Sequence, residues 1–143
     1  MRCVDVNILV FAHRPESPDH DRYLEWLTAA LAGGEPLGLA DAVLAGFLRI
    51  VTHPRVFREP TPTAVALEFL DVLLASPAAL RIGPGGRHWS IFTDLCQRLG
   101  VTGNGVPDAY LAALAIAQGA SWVTADRGFA RYPGLRVLHP LDS

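Results

Sequence analysis

Between residues 106 and 118 the chain reads Val-Pro-Asp-Ala-Tyr-Leu-Ala-Ala-Leu-Ala-Ile-Ala-Gln, a stretch with almost no polar face. A helix of that composition must be buried nearly all round. It is also too short for a membrane span, and no other uninterrupted apolar run approaches the ~18 residues that one needs. A soluble chain can hide such a helix only by packing it between other layers of structure, and the rest of the sequence supplies them.

Residues 2 to 5 (Arg-Cys-Val-Asp) predict a short buried strand that ends on an acid, with a turn near Asp5 leading into the apolar run Ile8 to Ala12. From Ser17, the spacing of Tyr23, Trp26, Leu27, Ala30 and Leu31 predicts an amphipathic helix, with Ser17 or Asp19 as N-cap and Gly33-Gly34 as the stop. A strand over Leu37 to Ala40 and a helix from Asp41 to Val51 follow. The proline-rich stretch from Thr52 to Pro62 suits an exposed connection. Further on come a helix from Thr63 to Ala75, a strand over Leu80 to Ile82, and a loop at Gly83-Pro84-Gly85-Gly86. A helix from Trp89 to Leu99 is stopped by Gly100, and Gly119 stops the apolar helix. Ser121 to Thr124 reads as a strand, Asp126 to Ala130 as one helical turn, and Leu135 to Leu138 as a last strand. Strands alternating with helices predict an α/β fold: one domain over 1–143, with a parallel sheet covered on both faces.

Composition narrows the chemistry. All twelve basic residues are arginine. Without lysine, a P-loop, a Schiff-base enzyme and a lysine general base are excluded. The net charge of −2 gives no global basic field, so any nucleic-acid binding must rest on a local patch. Cys3 and Cys96 read as buried free thiols in a reducing compartment, and the acid at position 5 leaves no room for a secretory signal. A cytoplasmic protein is expected.

Three acids stand out by position. Asp5 ends the first strand, Asp108 opens the most buried helix, and Asp126 follows a late strand. In an open parallel sheet such places converge, because ligands bind outside the carboxyl ends of the strands where connections diverge. Three carboxylates gathered there resist ionising unless a cation joins them. Oxygen ligands without a His or Cys cluster favour magnesium or manganese, and such a site suits phosphodiester hydrolysis. Asp108 after Pro107, and Asp126 before Arg127-Gly128, serve equally well as helix N-caps. Asp5, at the end of an apolar strand, is costly to bury unpaired. Asn7 and Thr124 are candidates to hydrogen-bond these carboxylates.

At this point the sequence resembles the PIN-domain ribonucleases and, within them, the VapC toxins. The matching stretches are Val4-Asp5-Val6-Asn7-Ile8-Leu9, Phe47 to Phe57 (Phe-Leu-Arg-Ile-Val-Thr-His-Pro-Arg-Val-Phe), Pro107-Asp108-Ala109-Tyr110-Leu111-Ala112-Ala113, and Thr124-Ala125-Asp126-Arg127-Gly128-Phe129. The resemblance implies a PIN-like α/β/α sandwich and a magnesium-dependent endoribonuclease with Asp5, Asp108 and Asp126 as metal-site residues. It also implies RNA as substrate, a homodimer, and neutralisation by a VapB-like antitoxin whose tail blocks the acidic site. One departure stands out. The glutamate that such nucleases carry on the helix after the second strand aligns with Gly46, and Asp41, the one acid on that helix, would point roughly 140° away from that position. Asp41 remains a candidate to reach the site from the helix start or simply to cap it.

Arg49, His53, Arg55 and Arg58 are expected to form a basic edge for RNA phosphates, with Arg127 and Arg131 beside the acids. His13 and His20 are expected at the surface. Trp26, Trp89 and Trp122 are expected in core or dimer packing. Two rival readings stay open: a PIN fold that binds RNA or a partner without cutting, and another acid-site enzyme or receiver domain, against which Asn7 and the absence of lysine both weigh.

Overall fold

A computed structural model describes residues 1–142. Five strands, β1 (Arg2–Val4), β2 (Leu37–Ala40), β3 (Ala79–Ile82), β4 (Ser121–Val123) and β5 (Arg136–Leu138), form one all-parallel sheet in the order β3-β2-β1-β4-β5. Six helices alternate with them: α1 (Val6–His13), α2 (His20–Ala32), α3 (Asp41–Val51), α4 (Thr63–Ala75), α5 (His88–Leu99) and α6 (Gly105–Ala117). α1 packs on α2 and α3, α3 packs on α4, and α5 packs on α6, so the sheet lies within an α/β/α sandwich. No helix among the described residues is long and apolar enough to cross a membrane.

The middle of the sheet is apolar because both of its faces are covered. β2 is buried along its whole length, as are Cys3, Val4, Trp122 and Val123 on the two strands that flank the site. Burial pushes the Cys3 thiol up to about 11, which leaves it an inert core group. The apolar helix of the sequence is α6, and Ala109, Ala112, Ala113, Leu114 and Ala115 are buried on it, while Tyr110 and Leu111 stay half-exposed. That half-exposed side borders a groove described below.

Strand order fixes where chemistry can occur. From the central β1 the chain moves outward to β2 and β3. It then returns through α5 and α6 to β4 on the other side of β1. Connections therefore diverge at the carboxyl end of β1, which is where ligands bind in open α/β sheets. Asp5 stands there, held by its backbone N–H, which donates to Val123 O at 2.9 Å across to β4.

Several expectations need correction. Asp19 occupies the cap position of α2 in a left-handed conformation (φ 57°), and its side chain makes no capping hydrogen bond. His13 and His20 are half-buried, not surface residues. His13 packs between Phe47 and Phe69, with Nε2 3.1 Å from Thr61 Oγ1, and His20 Nδ1 lies 2.7 Å from the carbonyl oxygen of Phe11. Trp122 is a core residue at 1% exposure, whereas Trp89, 69% exposed and edge to face with Phe92, lies outside the core and leaves dimer packing as its open alternative.

Candidate active site

Asp5 is the best-supported of the three acids. The residue is 6% exposed. Oδ1 accepts the Val6 N–H at 2.7 Å, which starts α1, while Oδ2 accepts the Thr124 hydroxyl at 2.6 Å and the Asn7 amide at 3.3 Å. The same two neighbours tie the end of β4 to the start of α1. Asn7 Nδ2 also reaches Thr124 Oγ1 at 3.2 Å, Asn7 Oδ1 accepts the Ala125 N–H at 3.2 Å, and Thr124 Oγ1 accepts the Asp126 N–H at 3.0 Å. Asn7 and Thr124 thus stand behind the acid as the sequence suggested. Even so, burial outweighs the hydrogen bonds and pushes the Asp5 carboxyl up to about 6, with the charges of Asp108 and Asp126 adding to the rise.

Asp108 and Asp126 resolve differently as caps. Asp108 lies inside the first turn of α6, past the cap position at Asn104, so capping does not account for it. Its acidity is weakened by burial and by the charge of Asp126, against which Arg131 works. Asp126 does cap the 3-10 turn Arg127–Arg131, where Oδ1 accepts the Gly128 N–H at 2.8 Å. A Cβ on residue 128 would lie 2.9 Å from that oxygen, so glycine is what allows the contact.

The three acids line one cleft of about 410 Å³ together with Val10, Phe11, Val56 and Phe57. As they stand, no three carboxylate, imidazole or thiol groups among the described residues are gathered closely enough to cage an ion. The donor set still fits a magnesium ion. Magnesium keeps several waters and takes only one or two carboxylates directly, so acids that share a cleft without closing on each other meet its demand. The pKa values of Asp5 and Asp108 are raised, first by burial and then by the charge of neighbouring aspartates, and a cation would favour the ionised form of both.

Gly46 lies at the same site. It lines a second groove, of about 630 Å³, together with Asp5 and Asp108. Asp41 does not replace the missing glutamate: Arg81 on β3 grips its carboxylate with contacts of 2.8 to 3.0 Å, in an exposed pair that neither caps α3 nor borders either space.

The arginines divide. Arg49 lines the second groove, and Arg55 sits exposed on the loop whose Val56 and Phe57 wall the first cleft. Arg127, expected beside the acids, turns instead to Asp142 in a two-pronged pair at 3.1 and 3.0 Å. Arg131 is the cation next to Asp108 and Asp126; Nη2 donates to Tyr132 Oη at 2.7 Å. Arg14 carries no functional signal in the sequence. This buried guanidinium donates to Glu16, to Thr61 Oγ1 at 3.0 Å and to Glu59 O at 2.8 Å, and it lies 4.2 Å from the Phe57 ring centre. It pins the 52–62 loop, and so the wall of the acidic cleft, to the end of α1.

The PIN domain family model matches residues 2–135. The chain belongs to the PIN family. Within it, the ribonuclease VapC43 of Mycobacterium tuberculosis is 51% identical over 142 residues, covering 99% of this chain and 97% of that protein. Ribonuclease VapC31 of the same organism is 36% identical over 140 residues, covering 98% and 99%. This PIN domain is therefore of the VapC kind. Among solved structures, VapBC2 from Rickettsia felis bound to a promoter DNA fragment superposes with a TM-score of 0.71 at 23% identity, covering 96% of both chains. That likeness corroborates the PIN sandwich.

Proposed function

We propose that the chain is a magnesium-dependent endoribonuclease, able to use manganese, that acts as the toxin of a VapBC-type toxin–antitoxin pair and hydrolyses RNA phosphodiesters. The observation that carries this is the sharing of one cleft by Asp5, Asp108 and Asp126, which come from three distant parts of the chain. Similarity to proteins named VapC ribonucleases supports it.

Asp5, Asp108 and Asp126 would hold the cation. When bound, it makes a water acidic enough to attack and neutralises charge on the phosphate. Thr124 and Asn7 keep the Asp5 carboxylate aimed and ionisable, since each hydrogen bond to the charged form opposes the effect of burial. Arg131 offers guanidinium donors to a phosphate oxygen from the side of Asp108, while Arg49 and Arg55 serve flanking phosphates. In this reading the protein works in the cytoplasm as a homodimer, and a VapB-like antitoxin silences it by covering the acids.

A second reading has a specific observation in its favour. With Gly46 in place of a glutamate and Asp41 held by Arg81, the site has three carboxylates, and a PIN domain so reduced could bind RNA without cutting it. Incubating the purified chain and its Asp5→Asn variant with RNA, in magnesium and in EDTA, separates the two. The nuclease cuts only as wild type with magnesium, and its expression arrests growth. Undiminished cleavage by the variant or in EDTA overturns the metal-site assignment, and RNA binding without any cleavage selects the second reading.

A further inference from the structure

Two spaces open from the same acids. One is the cleft walled by Val56 and Phe57. The other is the groove of about 630 Å³ that runs from Asp5 and Asp108 along one face of α3. Ala42, Ala45, Gly46 and Arg49 recur at helical spacing on that face and stay exposed or half-exposed, so the groove has a shallow, apolar floor with a cation on it. The opposite wall is aromatic. Phe92 and Tyr110 meet edge to face at 5.5 Å, and Tyr110 is braced again by His88 at 4.4 Å, so the two rings are fixed by their own packing.

We infer that this groove is a nucleobase subsite, which takes the base of a nucleotide next to the scissile phosphate of a single-stranded RNA. The inference rests on the ribonuclease reading and deepens it. A chain crossing the acids must place its neighbouring nucleotide beside them, and the groove begins at the acids themselves. Single-stranded RNA is recognised by splaying bases onto aromatic side chains, and the planar π faces of a base suit a groove with alanine and glycine on one side and Phe92 and Tyr110 on the other. Charge agrees with this. Arg49 lies on the groove and pairs with no carboxylate among the described residues, so its guanidinium is available to the next phosphate.

Gly46 makes the space. A Cβ at this position would already lie 3.0 Å from Val6 Cγ2, and anything longer would extend over the floor beside Asp5. The position at which the resemblance expects a carboxylate is thus used here to admit a base.

The test is an abasic walk. A single-stranded RNA that the wild type cuts at one mapped position in magnesium is remade with one base at a time removed around the cut. At one position next to the cut, kcat/KM falls about 10- to 100-fold, the loss of one base–aromatic stack. Ala45→Leu and Gly46→Leu, which fill the groove, cut the intact RNA as slowly as the wild type cuts that abasic RNA and show no further loss with it. Because Ala45 is exposed, the first of these variants folds even if the second does not. Equal cleavage of every abasic substrate by the wild type overturns the subsite, leaves the nuclease reading standing and assigns the groove to a protein ligand. A groove-filled variant that keeps the full abasic penalty also overturns it. Absence of cleavage by the wild type on intact RNA overturns the ribonuclease reading itself.

Discussion

Replacing Asp5 with asparagine removes one charge from a site that holds it at a cost, so the variant should be more stable than the wild type when no cation is present. The carboxyl is pushed from 3.8 up to about 6, chiefly by burial. At 1.36 kcal/mol per decade, ionising it at neutral pH costs the folded state about 3 kcal/mol. Asparagine keeps an oxygen for the Val6 N–H but loses the acceptor that Thr124 and Asn7 share, two hydrogen bonds at a cost of about 2 kcal/mol. The balance favours Asp5→Asn by about 1 kcal/mol, or roughly 3 °C in Tm for a domain of this size. The assay is thermal unfolding of both proteins at pH 7.5 in EDTA and again in magnesium. The gap should close as pH falls from about 6 towards 3.8, because protonation then removes the charge from the folded wild type as well. Magnesium at about a hundred times its Kd should stabilise the wild type by about 2.7 kcal/mol, and the variant much less, reversing the order. A variant that is less stable in EDTA would show that Asp5 is a structural cap, and equal magnesium stabilisation of both proteins would move the ion elsewhere.

Other perturbations separate the supporting residues. Arg14→Ala leaves Thr61 and Glu59 O without their donor and frees the loop that walls the acidic cleft. It should cost about 2–3 kcal/mol in urea unfolding and raise KM more than it lowers kcat. His13 is held below its ordinary 6.5, first by burial and then by Arg14, so the unfolded chain takes up that proton at higher pH than the folded one. Stability should therefore drop as pH falls through about 6.5, and the drop should be smaller in His13→Gln, measured by Tm between pH 8 and 5. Gly128→Ala brings a methyl against Asp126 Oδ1 and displaces the cap. It should cost about 1 kcal/mol of stability and weaken magnesium binding measured by calorimetry. Arg131→Gln should lower kcat about 100-fold, as loss of one preorganised donor does, leaving magnesium affinity within a few-fold of wild type.

Elements whose signals are local could be read from the chain alone. α3 and α4 begin and end at the predicted residues, since the periodicity of their apolar faces and the proline-rich stretch that ends at Pro62 are written in sequence. Gly100 stops α5 in the left-handed conformation that glycine favours. The common cleft of Asp5, Asp108 and Asp126 was legible because the carboxyl ends of parallel strands share one edge of the sheet. What failed were partnerships between distant segments. Nothing near Arg127 announces Asp142, nothing near Asp41 announces Arg81, and Arg14 looks like an ordinary residue after a helix until the loop 45 residues on folds over it. His13 misled for the same reason, because its burial is made by Phe47 and Phe69 from other helices.

The acidic cleft also shows why this fold tolerates a conflict at its centre. A carboxylate with no cationic partner among the described residues is placed where β1, β4 and α1 meet, and it is surrounded by donors from residues that also tie those elements together. Removing Thr124 or Asn7 would take a donor from the carboxylate and also loosen the junction of sheet and helix. In the metal-site reading proposed above, an ion from solution would offset the cost of burial that those hydrogen bonds leave. Gly46 extends this logic to α3: it adds no fourth carboxylate to the site, and it leaves open the groove that begins at Asp5 and Asp108.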